Sequence, residues 1–165
     1  MWTHVFAYGT LQLPEVMTAV TGRRFEGVPA HLPGYVRYAL RRRRYPGVRP
    51  RRGHETDGVL YRNVDPRALA RLDAFEDRFY RRRRLLVAVA GEHRVPAEVY
   101  TVDPSCYRLF EQRAWSLAAF RKRCLKTYLR RCRRGFAADS GGAALGGRRK
   151  PGAAEVEVAW TGQSR

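Results

Sequence analysis

Trp2 to Ala7 is an apolar, partly β-branched run, the pattern of a short buried strand, and it leads into Tyr8-Gly9-Thr10-Leu11. Leu13-Pro14-Glu15 opens a short helix, with proline near its first turn, and Thr21-Gly22 closes it. Phe25 to Tyr45 reads as strand and turn, punctuated by Pro29, Pro33 and Gly34, and Pro46 to Gly53 reads as a loop. Gly58-Val59-Leu60-Tyr61 is a strand. Asp65 then caps a helix that begins at Pro66 and carries Leu69, Leu72 and Phe75 at helical spacing. Phe79 to Val89 and Ala97 to Val102 are two further strands, joined through Gly91-Glu92. Asp103-Pro104 is another helix start. The stretch beyond it sets Leu117, Phe120, Cys124, Tyr128 and Cys132 on one face of an amphipathic helix.

From Ala137 the composition turns to Gly, Ala and Ser, so residues 1–136 are expected to form the domain and 137–165 a flexible tail. Glu155 to Trp160 alternates enough to make a marginal strand within that tail. About six strands, not regularly alternated with helices, indicate a compact α+β fold rather than a doubly wound parallel sheet.

Charge changes the picture more than length does. The 165 residues carry a formal net charge of +18, and of 33 basic residues only Lys122, Lys126 and Lys150 are lysine. Such a balance attracts polyanions, although so lopsided a preference for arginine also fits codon bias in a GC-rich genome. Either origin gives a field that favours anionic substrates. Cys106, Cys124 and Cys132 are too few, and odd in number, for a disulfide framework. Cys124 and Cys132 read as small apolar residues of a helix. The N-terminus shows no basic region followed by an apolar run, and no apolar stretch reaches the ~18 residues of a membrane span. A cytoplasmic location is the resulting expectation. His4, His31, His54 and His93 are scattered singly, and no phosphate loop or His/Cys cluster is present, so neither a metal nor a cofactor is expected.

Two stretches carry candidate chemistry. A glycine after the first strand, in Tyr8-Gly9-Thr10-Leu11, lets the backbone turn and expose consecutive N–H groups, a concavity suited to a carboxylate or oxyanion. The same pattern also serves as an ordinary turn. The second stretch is Leu72-Asp73-Ala74-Phe75-Glu76, followed by Tyr80 and Arg82. Glu76 falls just beyond its helix, at the negative end of the helix dipole and beside Phe75 and Phe79, where a carboxyl group holds its proton more tightly and can both accept and donate one. The plainer alternative is a solvated glutamate paired with Arg78 or Arg81.

Taken in order, Val5-Phe6-Ala7-Tyr8-Gly9-Thr10-Leu11, Tyr45-Pro46, Gly58-Val59-Leu60-Tyr61 and Leu72-Asp73-Ala74-Phe75-Glu76 with Tyr80-Arg81-Arg82 resemble the γ-glutamyl cyclotransferase-like, or AIG2-like, family. The resemblance covers about residues 3–130. It implies a small mixed β-barrel with flanking helices around a central cavity. It implies that main-chain N–H groups of Tyr8, Gly9, Thr10 and Leu11 bind a γ-glutamyl group, with Tyr80 and Arg82 completing the binding site, and that Glu76 is the proton acceptor and donor. The implied reaction, which needs no cofactor, releases 5-oxoproline from a γ-glutamyl amine or peptide. Two features depart from the family pattern. Asp77 stands where a glycine often follows the catalytic glutamate, and either acts on Glu76 or faces solvent. The arginine runs Arg41–Arg44 and Arg81–Arg84 are heavier than usual. A basic nucleic-acid-binding module, with Tyr35, Tyr38 and Tyr45 among the arginines, and an inactive ligand-binding member of the same fold are the competing readings. Substrate identity beyond the γ-glutamyl group and oligomeric state are not legible in the sequence.

Overall fold

The apolar run at the N-terminus forms a strand, β1 (Thr3–Ala7), that is buried on both faces. Val5 and Ala7 join one apolar cluster while Phe6, and Tyr8 just beyond the strand, join another, following the period-two alternation of extended backbone. Double burial is why Val5-Phe6-Ala7, after the half-buried Thr3 and His4, are all apolar. In this computed structural model, which describes residues 1–91, 93–134 and 155–156, a 3-10 turn at Thr10–Gln12 leads from β1 into a helix, α1 (Pro14–Thr21). Pro14 sits at its first position, and Gly22 ends it with a left-handed φ of 77° while donating its N–H to the Thr18 carbonyl at 2.8 Å.

β2 (Gly27–Ala39) and β3 (Pro46–Val64) form a long antiparallel hairpin. Pro46 to Gly53, expected as a loop, is instead the first part of β3, paired with β2 from Ala39↔Pro46 to Tyr35↔Pro50. Tertiary pairing overrides the breaker composition here. Pro46 is the first residue of the strand, where a missing N–H is tolerated, and Pro50 lies next to a register shift between Pro33 and Tyr35. Gly34 and Gly53 absorb that irregularity with φ of 76° and 77°.

A second helix, α2 (Pro66–Phe75), starts as the sequence predicts: the Asp65 side chain accepts the Ala68 N–H at 2.9 Å. Leu72 and Ala68 are fully buried beneath it. β4 (Tyr80–Val89) and β5 (Val95–Val102) follow as an antiparallel pair. The helix start at Asp103 yields only a 3-10 segment, Pro104–Leu109. The single amphipathic helix expected after it is two, α3 (Leu117–Arg123) and α4 (Leu125–Arg134), broken at Cys124, whose φ of −120° leaves the helical region. The predicted apolar face survives the break, with Phe120, Tyr128 and Cys132 buried.

The strands run in the order β2-β3-β1-β5-β4, and β4 returns to pair with β2 at Ala30↔Val89 and His31↔Ala88, closing a five-stranded barrel. β1 and β5 meet in parallel at Val5↔Glu98. One apolar cluster draws on all five strands and on no helix, so it fills the barrel. The other joins the outer faces of β1, β3 and β5 to α1, α2 and α4. The fold is therefore α+β, a mixed barrel with flanking helices, as expected. Within the predicted tail, Glu155–Val156 forms a short strand, β6, parallel to β4. The rest of residues 137–165, and with it the expectation of a flexible tail, lies outside the described residues.

Candidate active site

Where β1 leaves the barrel, its backbone turns under α4 and beside the C-terminal end of α2, enclosing a cavity of about 60 Å³. That is room for several water-sized groups. Tyr8, Gly9, Thr10 and Leu11 form one wall, and Glu76 and Asp77 lie on another. Tyr80, Tyr100 and Tyr128 contribute rings from β4, β5 and α4, and Arg131 and Cys132 come from the last turns of α4.

The turn is held by its carbonyls. The Tyr8 carbonyl accepts from Gln12 Nε2 at 2.9 Å and from Arg37 Nη1 at 2.8 Å. The Gly9 carbonyl accepts from the Gln12 N–H at 3.1 Å, and the Leu11 carbonyl from the Tyr61 hydroxyl at 2.7 Å. In a planar trans peptide the N–H points opposite the preceding C=O. Fixing the carbonyls of Tyr8 and Gly9 therefore also fixes the N–H groups of Gly9 and Thr10, on the other side of the backbone. The first hydrogen bond inside the turn starts at the Gln12 N–H, so the N–H groups of Thr10 and Leu11 have no partner within it. Gly9 is needed for close packing: a Cβ there would lie 3.0 Å from Cδ of Pro46.

Glu76 caps the C-terminus of α2, its N–H bonded to the Leu72 carbonyl at 3.0 Å and its backbone already extended (ψ 144°). Glu76 is half-buried and lies on the cavity wall. Four phenols surround it electrostatically. Burial first, and the Glu76 charge in every case among the further causes, pushes Tyr8, Tyr80, Tyr100 and Tyr128 above the ordinary tyrosine range. All four stay neutral. Their hydroxyls are committed elsewhere: Tyr8 donates to the Tyr100 carbonyl, Tyr80 to the Pro46 carbonyl and Tyr100 to Asp73 Oδ1 at 2.8 Å, while Tyr128 pairs with Thr10 Oγ1 at 3.2 Å. The rings are thus held in place as a stiff wall.

Asp77 does not face solvent, which removes one of the two alternatives offered by the sequence. It is buried, accepting the Tyr45 hydroxyl at 2.6 Å on Oδ2 and the Arg78 N–H at 2.9 Å on Oδ1, with Arg43 Nε 3.6 Å away.

Of the residues singled out from the sequence, Tyr8, Gly9, Thr10, Leu11, Glu76 and Tyr80 meet at this cavity, whereas Arg82 stands apart from its lining. Arg82 Nε lies 3.1 Å from Asp73 Oδ1, so the arginine braces the carboxylate that receives the Tyr100 hydroxyl. Sequence reasoning missed Tyr100, Tyr128, Arg131 and Cys132 as cavity residues. Tyr128 and Cys132 were legible only as apolar helix positions, and Tyr100 is brought beside Tyr8 by the long-range pairing of β1 with β5. Burial pushes the Cys132 thiol up to about 11. Arg81 and Arg84 of the second arginine run pair with Asp103 (2.8 Å) and Glu98 (3.5 Å), so much of that run is neutralised within the fold. Among the described residues, no helix is long and apolar enough to cross a membrane.

The chain is similar to known proteins in sequence and in fold. The family model described as "Gamma-glutamyl cyclotransferase, AIG2-like" matches residues 5–117, more than half the chain. AIG2-like protein C of Arabidopsis thaliana is 30% identical over 116 residues, covering 67% of each chain. AIG2-like protein A of the same plant is 38% identical over 79 residues, and the match spans about half the length of both proteins (48% of each). A solution structure of an Arabidopsis thaliana protein superposes with a TM-score of 0.60 at 25% identity, covering 79% of both chains. A solved gamma-glutamyl cyclotransferase shares the fold at a TM-score of 0.53 and 15% identity, over 62% of this chain and 67% of that one. The chain belongs to the gamma-glutamyl cyclotransferase, AIG2-like family.

Proposed function

We propose that the protein is a cyclotransferase that releases 5-oxoproline from a γ-glutamyl compound, with Glu76 moving the protons. The observation that carries this reading is the placement of the Glu76 carboxylate in a tyrosine-walled cavity shared with the Tyr8–Leu11 turn. The substrate's α-amine nitrogen attacks its own γ-carbonyl carbon, closing a five-membered lactam. The amide C–N bond then breaks and the amine departs. Both reacting groups belong to one molecule, so the protein's task is to fold that molecule into an attack geometry, which the rigid ring wall favours. Glu76 takes a proton from the attacking amine and returns it to the leaving nitrogen, so no net proton is consumed. N–H groups of the Gly9–Leu11 turn hold the substrate carboxylate. The four phenols are occupied with structural partners, which supports Glu76 acting directly rather than through a tyrosine relay.

The test is Glu76→Gln, which keeps size and removes the titratable proton. Release of 5-oxoproline at saturating substrate should fall by about two to four orders of magnitude, with the fold unchanged by circular dichroism. Near-normal turnover by the folded variant would refute the role of Glu76. The ion pairs that absorb Arg81, Arg82 and Arg84 favour this enzyme reading over a dedicated nucleic-acid surface.

A further inference from the structure

The cavity lining is unevenly charged. Its inner part holds two carboxylates and the phenols, and its cationic side chain among the described residues is Arg131. Arg131 is exposed, at the open side of the cavity, one residue before the buried Cys132 that anchors the last turns of α4. No carboxylate among the described residues pairs with it, in contrast to Arg37, Arg81, Arg82 and Arg84, which all have acidic partners. The surrounding surface strengthens its field: from Arg121 to Arg134 the chain carries Arg121, Lys122, Arg123, Lys126, Arg130, Arg131, Arg133 and Arg134 and no acidic residue. An unpaired guanidinium at the rim of a cleft is a fork for a carboxylate.

We propose that Arg131 is a specificity-determining residue that binds a carboxylate on the leaving-group side of the substrate, so that the compounds taken are γ-glutamyl amino acids or peptides rather than γ-glutamyl amines. This rests on the cyclotransferase reading and deepens it. The γ-glutamyl moiety fills the inner end, with its α-carboxylate at the turn N–H groups and its γ-amide near Glu76. The departing half then extends toward the open side, where Arg131 stands. An amino acid bears its carboxylate one carbon from the amide nitrogen and can present it there, whereas a simple amine has nothing to present.

Two compounds isolate the question: γ-glutamyl-alanine and γ-glutamyl-ethylamine differ only by that carboxylate. Binding is measured by calorimetry to Glu76→Gln, in which slow turnover keeps the ligands intact, and turnover is measured separately on the unmodified enzyme. The alanine compound should bind about tenfold tighter than the ethylamine compound, and adding Arg131→Gln should abolish the difference while leaving the ethylamine affinity nearly unchanged. Arg131→Lys should keep part of the preference. Arg133→Gln, which alters a neighbouring exposed cation outside the cavity lining, should keep most of it. Equal affinities, or no binding of either compound, would overturn the proposal. So would equal weakening of both ligands by Arg131→Gln, which would assign Arg131 to the γ-glutamyl carboxylate instead. Loss of the preference in Arg133→Gln to the same degree would replace a specific contact by the general field and overturn it as well. A binding preference that depends on Arg131, with no 5-oxoproline released by the unmodified enzyme, would refute the proposed reaction but uphold the anion site.

Discussion

Tyr45→Phe should destabilise the protein by about 2 kcal/mol, because it removes one hydroxyl from a buried carboxylate and nothing else. In the native protein the Tyr45 hydroxyl donates to Asp77 Oδ2 at 2.6 Å, and both residues are buried. The phenyl ring that remains still stacks on Phe79 at 6.5 Å between centroids, so no cavity opens and apolar burial is unchanged. What is lost is a hydrogen bond to an ionised acceptor, ordinarily about 1.5–3 kcal/mol. Asp77 retains the Arg78 N–H at 2.9 Å and the Arg43 guanidinium at 3.6 Å, which places the cost in the lower half of that range. Burial, and then the bond to Asp77, raise the Tyr45 pKa far above its ordinary value, so the phenol remains the donor. A group whose folded pKa is raised contributes fully below its unfolded value, so the difference from wild type should be flat from neutral pH up to about 10. The assay is urea denaturation at several pH values, with an unchanged m-value as the sign that both proteins unfold from comparable folded states. By thermal melting the same loss is a fall of about 4–8 °C for a domain of this size. Tyr38→Phe is the control, since the exposed Tyr38 hydroxyl only accepts from Arg51 and should matter by less than about 0.5 kcal/mol. A Tyr45→Phe protein as stable as the control would refute the claim that this hydrogen bond anchors Asp77.

Gly9→Val should abolish binding of a γ-glutamyl ligand, because a side chain there must displace Pro46, whose Cδ would lie 3.0 Å from the new Cβ; undiminished affinity would remove the turn from the site. Cys132, with its thiol pushed up to about 11, should be on the order of 0.01% thiolate at pH 7 and alkylate more slowly than the half-buried Cys106 and Cys124; mass mapping of iodoacetamide adducts checks the order, and preferential labelling of Cys132 would contradict the burial argument.

Legibility in the sequence followed how local each structural cause was. The start of α2 is written in Asp65-Pro66, a cap and a first-turn proline, and the end of α1 in Gly22, because both depend on a few neighbouring backbone groups. β1 was legible because burial on both faces leaves Val5-Phe6-Ala7 all apolar. Pro46 to Gly53 was not: two prolines, three arginines and two glycines read as a loop, and only the partner strand β2, beyond a six-residue turn, makes that segment extended. The break at Cys124 was hidden for a similar reason, since the apolar stripe keeps helical phase across it.

The same distinction explains why two adjacent carboxylates have different surroundings. Glu76 and Asp77 are neighbouring carboxylates, and while the family resemblance singles out Glu76, the sequence leaves open whether Asp77 acts on it or faces solvent. The end of α2 separates them: the chain leaves the helix at Glu76, whose ψ of 144° sends the next residue into different surroundings. Asp77 is there met by a hydroxyl, an N–H and a guanidinium, all from protein, and its charge is used within the fold. Glu76 instead faces phenols whose hydroxyls already serve Tyr100, Pro46, Asp73 and Thr10. Those commitments keep the wall rigid and keep the phenols from competing with a substrate for the Glu76 carboxylate. Loosening them through Asp73→Asn, which weakens the hold on Tyr100 and Arg82, would disturb the wall's shape without altering the Glu76 carboxylate. On the proposed reaction, the proton transfer falls to Glu76 and the shape of the site to the tyrosines around it.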